Sequence, residues 1–103
     1  MTTWVLRSAG VAEDDPEALV LRMTPGQWKT LGRSRSADFT LVTAMLSRVH
    51  CRFRATEDGL EVEDLDSTNG TWVNGERVTS AVLKEGDHVR AGDAEFVVSR
   101  GED

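Results

Sequence analysis

Only one cysteine, Cys51, occurs in the 103 residues, so no internal disulfide can staple the chain. Long apolar runs are missing too. The longest mostly apolar stretch, Leu41 to Leu46, is far too short to cross a bilayer, and no membrane partner is expected. Residues Met1 to Val5 lack the basic segment and apolar run of a secretory signal. With the lone cysteine, this gives the expectation of an intracellular protein, cytoplasmic or nuclear. Two well-separated histidines, His50 and His88, are too few to build a zinc site with one thiol, so no metal and no cofactor are expected. Helical periodicity, internal repeats and low-complexity segments are all absent. Positive charge is scarce: twelve Lys and Arg against eighteen Asp and Glu leave a net charge of −6. Phosphate backbones reward a basic surface, so no nucleic-acid partner is expected.

The basic residues that are present are unevenly placed. Between Lys29 and Arg54 lie six of them (Lys29, Arg33, Arg35, Arg48, Arg52, Arg54) against one acid, Asp38. From Ala55 to Asp103 there are four against thirteen acids. A basic island in an acidic chain suits a small, local anion better than a long polyanion.

Turn residues punctuate short apolar-alternating segments throughout. Trp4 to Arg7, Leu19 to Met23 and Trp28 to Leu31 read as strands, with Leu19, Leu21 and Met23 on one face. Gly10 to Glu17 reads as an acidic, solvated turn. Cys51 to Ala55 and Leu60 to Glu63 alternate strictly around Thr56-Glu57-Asp58-Gly59, the pattern of a hairpin with Cys51, Phe53, Ala55, Leu60 and Val62 inward. A symmetric turn would set Arg54 opposite Glu61 and Arg52 opposite Glu63. That pairing would leave Arg33, Arg35 and Arg48 as the free part of the basic island. Two more hairpins follow, Trp72 to Val78 around Asn74-Gly75 and His88 to Val98 around Gly92-Asp93, with Lys84 to Asp87 turning the chain between them. Many short strands with regular turn signals predict an all-β sandwich, and the length predicts one domain, residues 1–103.

Three polar segments fall between these strands: Gly32-Arg33-Ser34-Arg35, Ser47-Arg48-Val49-His50 and Ser67-Thr68-Asn69-Gly70-Thr71. Loops gather at the ends of a sandwich, so segments distant in sequence can meet there. Their side chains are the donors a phosphate needs: a planar guanidinium fork, a short hydroxyl and an amide able to pair with peptide backbone.

In order and spacing, Gly32-Arg33, Ser47-Arg48-Val49-His50 and Asp64-Leu65-Asp66-Ser67-Thr68-Asn69-Gly70-Thr71-Trp72-Val73-Asn74-Gly75 resemble the signature of forkhead-associated (FHA) domains. The closing Gly86-Asp87-His88-Val89-Arg90-Ala91-Gly92 fits as well. The resemblance implies a two-sheet β-sandwich of about eleven short, mostly antiparallel strands. It also implies a monomeric, non-enzymatic module that binds a phosphothreonine-containing protein or peptide through loops at one end. Arg33 and Ser47 would contact the phosphate, and Arg48 would add a donor. Thr68 would sit by the phosphate and the threonine methyl, and Asn69 would pair with the peptide backbone. Gly32, His50 and Gly70 would be framework positions. Met45, in a loop whose Val42, Ala44 and Met45 are unusually apolar, would favour an apolar residue three places after the phosphothreonine.

Two other readings compete. Ser47, His50 and Asp64 or Asp66 can be drawn as a hydrolase triad, but they lack a nucleophile-elbow motif. An FHA-like scaffold for an unphosphorylated partner, or for self-association, would be expected to lose Arg33, Ser47 or Asn69, and all three are present. Asn69-Gly70-Thr71 matches a glycosylation sequon, which without a secretory signal has no use.

Overall fold

The alternation at Cys51 to Ala55 and Leu60 to Asp64 becomes a hairpin in the computed structural model, which describes residues 2–10 and 18–101. Its register sets Arg54 against Glu61 and Arg52 against Glu63, as the symmetric turn requires. Both pairs close as ion pairs, at 2.7 and 2.8 Å. Each is half-exposed and worth only about 0.2–1 kcal/mol. Trp28 lies beneath them, its ring centroid 4.1 Å from the Arg52 guanidinium and 4.5 Å from that of Arg54. Cys51, Phe53, Ala55, Leu60 and Val62 are buried on the other face. Burial pushes the Cys51 thiol up to about 12, so it remains a protonated core side chain.

Eleven strands are present among the described residues: β1 (Trp4–Ser8), β2 (Val20–Met23), β3 (Lys29–Gly32), β4 (Phe39–Thr40), β5 (Cys51–Ala55), β6 (Leu60–Asp64), β7 (Thr71–Val73), β8 (Glu76–Val78), β9 (Ser80–Leu83), β10 (His88–Ala91) and β11 (Ala94–Arg100). They form a six-stranded sheet, β2-β1-β11-β10-β7-β8, facing a five-stranded sheet, β4-β3-β5-β6-β9. Pairing is antiparallel throughout except between β3 and β4. Leu6, Met23, Val89, Phe96 and Val98 of one sheet pack with Leu31, Phe53, Leu60, Val62 and Leu83 of the other to make a single core. No helix occurs among the described residues, so none is long and apolar enough to cross a membrane.

The structure departs from the sequence expectations in a few places. Leu19 precedes β2 and is 42% exposed rather than inward with Leu21 and Met23. Its backbone is held by Ser8 at the sheet edge, where the chain is only entering β2. The third strand begins at Lys29, because Trp28 is drawn onto the arginines, and it includes Gly32. The acidic turn expected over 10–17 lies outside the described residues from residue 11 onward. The hairpin turns follow the residues that permit them. Asn74 and Gly75 both take positive φ, at 49° and 86°. At the other turn only Gly92, at 60°, does so, which is the pattern of a glycine-first turn.

Candidate functional site

Three loops meet at one end of the sandwich: 33–38 after β3, 41–50 before β5, and 65–70 between β6 and β7. Backbone bonds join the first two. The Arg33 and Ser34 amides donate to the carbonyls of Ser47 and Arg48, at 2.9 and 3.0 Å. Gly32 is what allows this approach. A Cβ on Gly32 would stand 2.0 Å from the Arg48 carbonyl oxygen, so any side chain would force the loops apart.

His50 ties in the third loop. It is fully buried, and both ring nitrogens are used. The Ser47 amide donates to Nδ1 at 3.1 Å, and Nε2 faces the Gly70 carbonyl at 2.8 Å. These partners set the neutral tautomer with its proton on Nε2. Its backbone extends the clamp, its N–H donating to Leu31 and its carbonyl accepting from Leu65. The Ser–His arrangement of a hydrolase is therefore not formed: His50 engages the Ser47 amide, while the Ser47 hydroxyl accepts from the Thr68 N–H at 3.1 Å.

That geometry leaves donors facing outward. Because Ser47 Oγ accepts from Thr68, its own proton is free for an anion. Arg33 is exposed and anchored by Nε to the Leu46 carbonyl at 3.2 Å. Among the described residues its terminal nitrogens make no hydrogen bond or ion pair. Arg48 and Arg35 are also exposed, with no side-chain partner among the described residues. Thr68 is exposed beside Ser47. Asn69 donates from Nδ2 to the Met45 carbonyl at 2.9 Å, which leaves its Oδ1 open to accept. The expected residues thus come together, with Gly32, His50 and Gly70 beneath Arg33, Ser47, Thr68 and Asn69.

The apolar loop is displayed rather than packed. Val42 is 90% exposed, Ala44 is exposed and Met45 is 43% exposed, while Leu46 is buried in the core and Leu41 packs partly against it. The loop is fixed from below by Thr43, whose Oγ1 donates to Asp93 Oδ1 at 2.6 Å. A Cβ on Gly92 would lie 2.4 Å from the Met45 carbonyl oxygen, so the turn of the last hairpin presses directly against this loop.

Asp64, the first residue of the signature segment and one of the triad candidates, shapes the third loop. Its Oδ1 accepts from the Ser67 and Thr71 hydroxyls at 2.5 and 2.7 Å, and its Oδ2 accepts from the Ser67 amide at 3.1 Å. Ser67 Oγ in turn accepts from the Gly70 amide. An Asp three residues before a Ser is the signal that could have found it. Burial alone would raise the Asp64 carboxyl, but the hydrogen bonds from Ser67 and Thr71 outweigh it and hold it below the usual carboxylate range. A depressed native value means that Asp64 contributes stability at neutral pH, and this contribution disappears as pH falls through the native value. Urea midpoints from pH 7 to pH 3 should therefore drop steeply for the wild type below about pH 4. Asp64→Asn should start lower at pH 7 and fall less; parallel curves would remove Asp64 from this role.

A two-sheet sandwich that gathers arginine, hydroxyl and amide donors at one end defines a loop-based anion-reading module. The family model described as FHA domain matches residues 29–92, and the chain belongs to that family. It is 36% identical over 86 residues to the ABC transporter ATP-binding/permease protein Rv1747 of Mycobacterium tuberculosis (strain ATCC 25618 / H37Rv), covering 84% of this chain and 10% of that protein. It is 41% identical over 70 residues to the glycogen accumulation regulator GarA of the same strain, covering 68% of this chain and 43% of that one. A structure solved in work on phosphothreonine-dependent FHA domain interactions superposes with a TM-score of 0.77 at 30% identity, covering 95% of each chain. The chain spans about half or less of the length of the curated relatives it matches.

Proposed function

We propose that this chain is a phosphothreonine-peptide-binding module, one domain over residues 1–103, that recruits a protein phosphorylated by a Ser/Thr kinase and catalyses nothing itself. The observation that carries the reading is the linkage of three donor-bearing loops through Ser47, His50 and Gly70, with the Arg33 head and the Ser47 proton left facing out. A phosphothreonine carries roughly −1.5 to −2 charges near neutral pH, and such a cluster of outward donors matches it. Likeness to a structure studied for phosphothreonine-dependent interactions supports the same reading.

In this reading Arg33 and Ser47 hold the phosphate and Arg48 adds a donor at the rim. Thr68 lies against the phosphothreonine, and Asn69 accepts from the peptide backbone through Oδ1. One methyl group is worth only about 0.8 kcal/mol of burial, so preference for threonine over serine also draws on the stiffness of a β-branched side chain. Met45, with the exposed Val42 and Ala44, gives the ligand an apolar surface for the residue three places after the phosphothreonine. An oriented phosphothreonine library, with phosphoserine and unphosphorylated controls, tests the whole. Phosphothreonine should be required and an apolar residue selected at that position. A flat result would favour a phosphate-independent scaffold, and an acidic selection there would remove Met45 from its role.

A further inference from the structure

We propose that Arg77 is a second reading head of this site, taking a carboxylate side chain of the partner on the side of the phosphothreonine away from Met45. The inference rests on the phosphothreonine reading above. It starts from a close approach. A Cβ on Gly70, whose φ is +86°, would stand 2.7 Å from Arg77 Nε and 3.0 Å from its Cζ. The guanidinium of a residue on β8 therefore lies against the residue that follows Asn69.

Trp72 puts it there. Trp72 and Arg77 are cross-strand partners, so their side chains share the outer face of the six-stranded sheet. The Trp72 indole N–H donates to the Asn69 carbonyl at 3.1 Å, which fixes the ring at the edge of the site. Asn69 thus stands between two different surfaces. Its side chain binds the Met45 carbonyl of the apolar loop, and its backbone is held by the tryptophan that carries Arg77. A ligand paired to Asn69 meets apolar groups on one side and a cation on the other.

The two arginines flanking Trp72 are not equivalent. Arg90 lies 4.8 Å from the Trp72 ring centroid, donates to the Gly92 carbonyl, and has Glu95 as its cross-strand neighbour. Its charge is partly answered within the sheet. Arg77 is on the edge strand, where β7 is the only neighbour among the described residues. It is exposed, and among the described residues it has no hydrogen bond or ion pair. An unanswered guanidinium touching the loop that holds the ligand is complementary to a carboxylate side chain.

The test uses three phosphothreonine peptides that share one core: neutral flanks, glutamates before the phosphothreonine, or glutamates after it. Their affinities are read by fluorescence anisotropy. For the wild type, the peptide with glutamates before the phosphothreonine should bind about five-fold tighter than the neutral one, the worth of a partly exposed charge pair, and the peptide with glutamates after it should gain nothing. Arg77→Gln should reduce that peptide to the neutral level and leave the neutral peptide unchanged. Arg77→Glu should bring it below neutral. Absence of any acidic gain, or a gain that survives in Arg77→Gln, overturns the inference while the phosphothreonine reading stands. An equal loss for all three peptides in Arg77→Gln also overturns it, because Arg77 would then be a prop for Gly70. If the wild type binds no phosphothreonine peptide, the underlying reading falls and this one with it.

Discussion

Arg33→Ala should abolish measurable phosphopeptide binding, a loss of about 2–5 kcal/mol in affinity, while leaving the melting transition nearly unchanged. The size follows from charge. A doubly ionised phosphate leaves water only where fixed cations replace its hydration, and a guanidinium fork does so with two parallel bonds. The selectivity for binding over stability follows from exposure. Arg33 has its head in solvent and one bond inward, from Nε to the Leu46 carbonyl. Removing that bond should cost no more than about 1 kcal/mol of stability. The backbone amide of Arg33, which joins the loops through Ser47, survives the substitution. Affinity retained in a folded Arg33→Ala protein would refute the assignment.

His50→Ala should do the opposite, losing stability and affinity together. The ring is fully buried and spans two loops. Truncation empties its volume and strands the Ser47 amide, while the Gly70 carbonyl keeps only its bond from the Gly92 amide. The stranded amide costs about 1–3 kcal/mol, and the cavity adds to this. Thermal and urea denaturation should show a loss of about 2–5 kcal/mol. Residual binding at low temperature should be weaker because Ser47 is no longer fixed. An unchanged melting temperature with affinity alone lost would make His50 a ligand contact rather than a clamp.

The central hairpin was legible residue by residue, since strict alternation around Thr56 to Gly59 specifies register, and both Arg–Glu pairs followed from it. The turns at Asn74-Gly75 and Gly92-Asp93 were legible for the same reason: few residues accept those backbone angles. Two strands were not. β4 is two residues long and pairs in parallel with β3, leaving no periodicity to read. β9 follows β8 with Thr79 alone between them, and Thr79 carries no turn signal. At the site, the exposed donors were visible as residue types, but their supports were not. Asp64 acts through a local turn, and Thr43 meets Asp93 across fifty residues of sequence. Arg77 reaches Gly70 only because β8 folds back on β7. The exposure of Val42 and Ala44 depends on which residues of their loop turn inward, and those are Leu41 and Leu46.

In the proposed function three loops converge to read one phosphate on a threonine. Calorimetric titration of the wild-type chain with a single library-selected peptide, in phosphothreonine, phosphoserine and unphosphorylated forms, addresses it most directly. Saturable binding of the phosphothreonine form is expected, with weaker binding of the phosphoserine form and none of the unmodified one. Equal binding of the unphosphorylated peptide would contradict it.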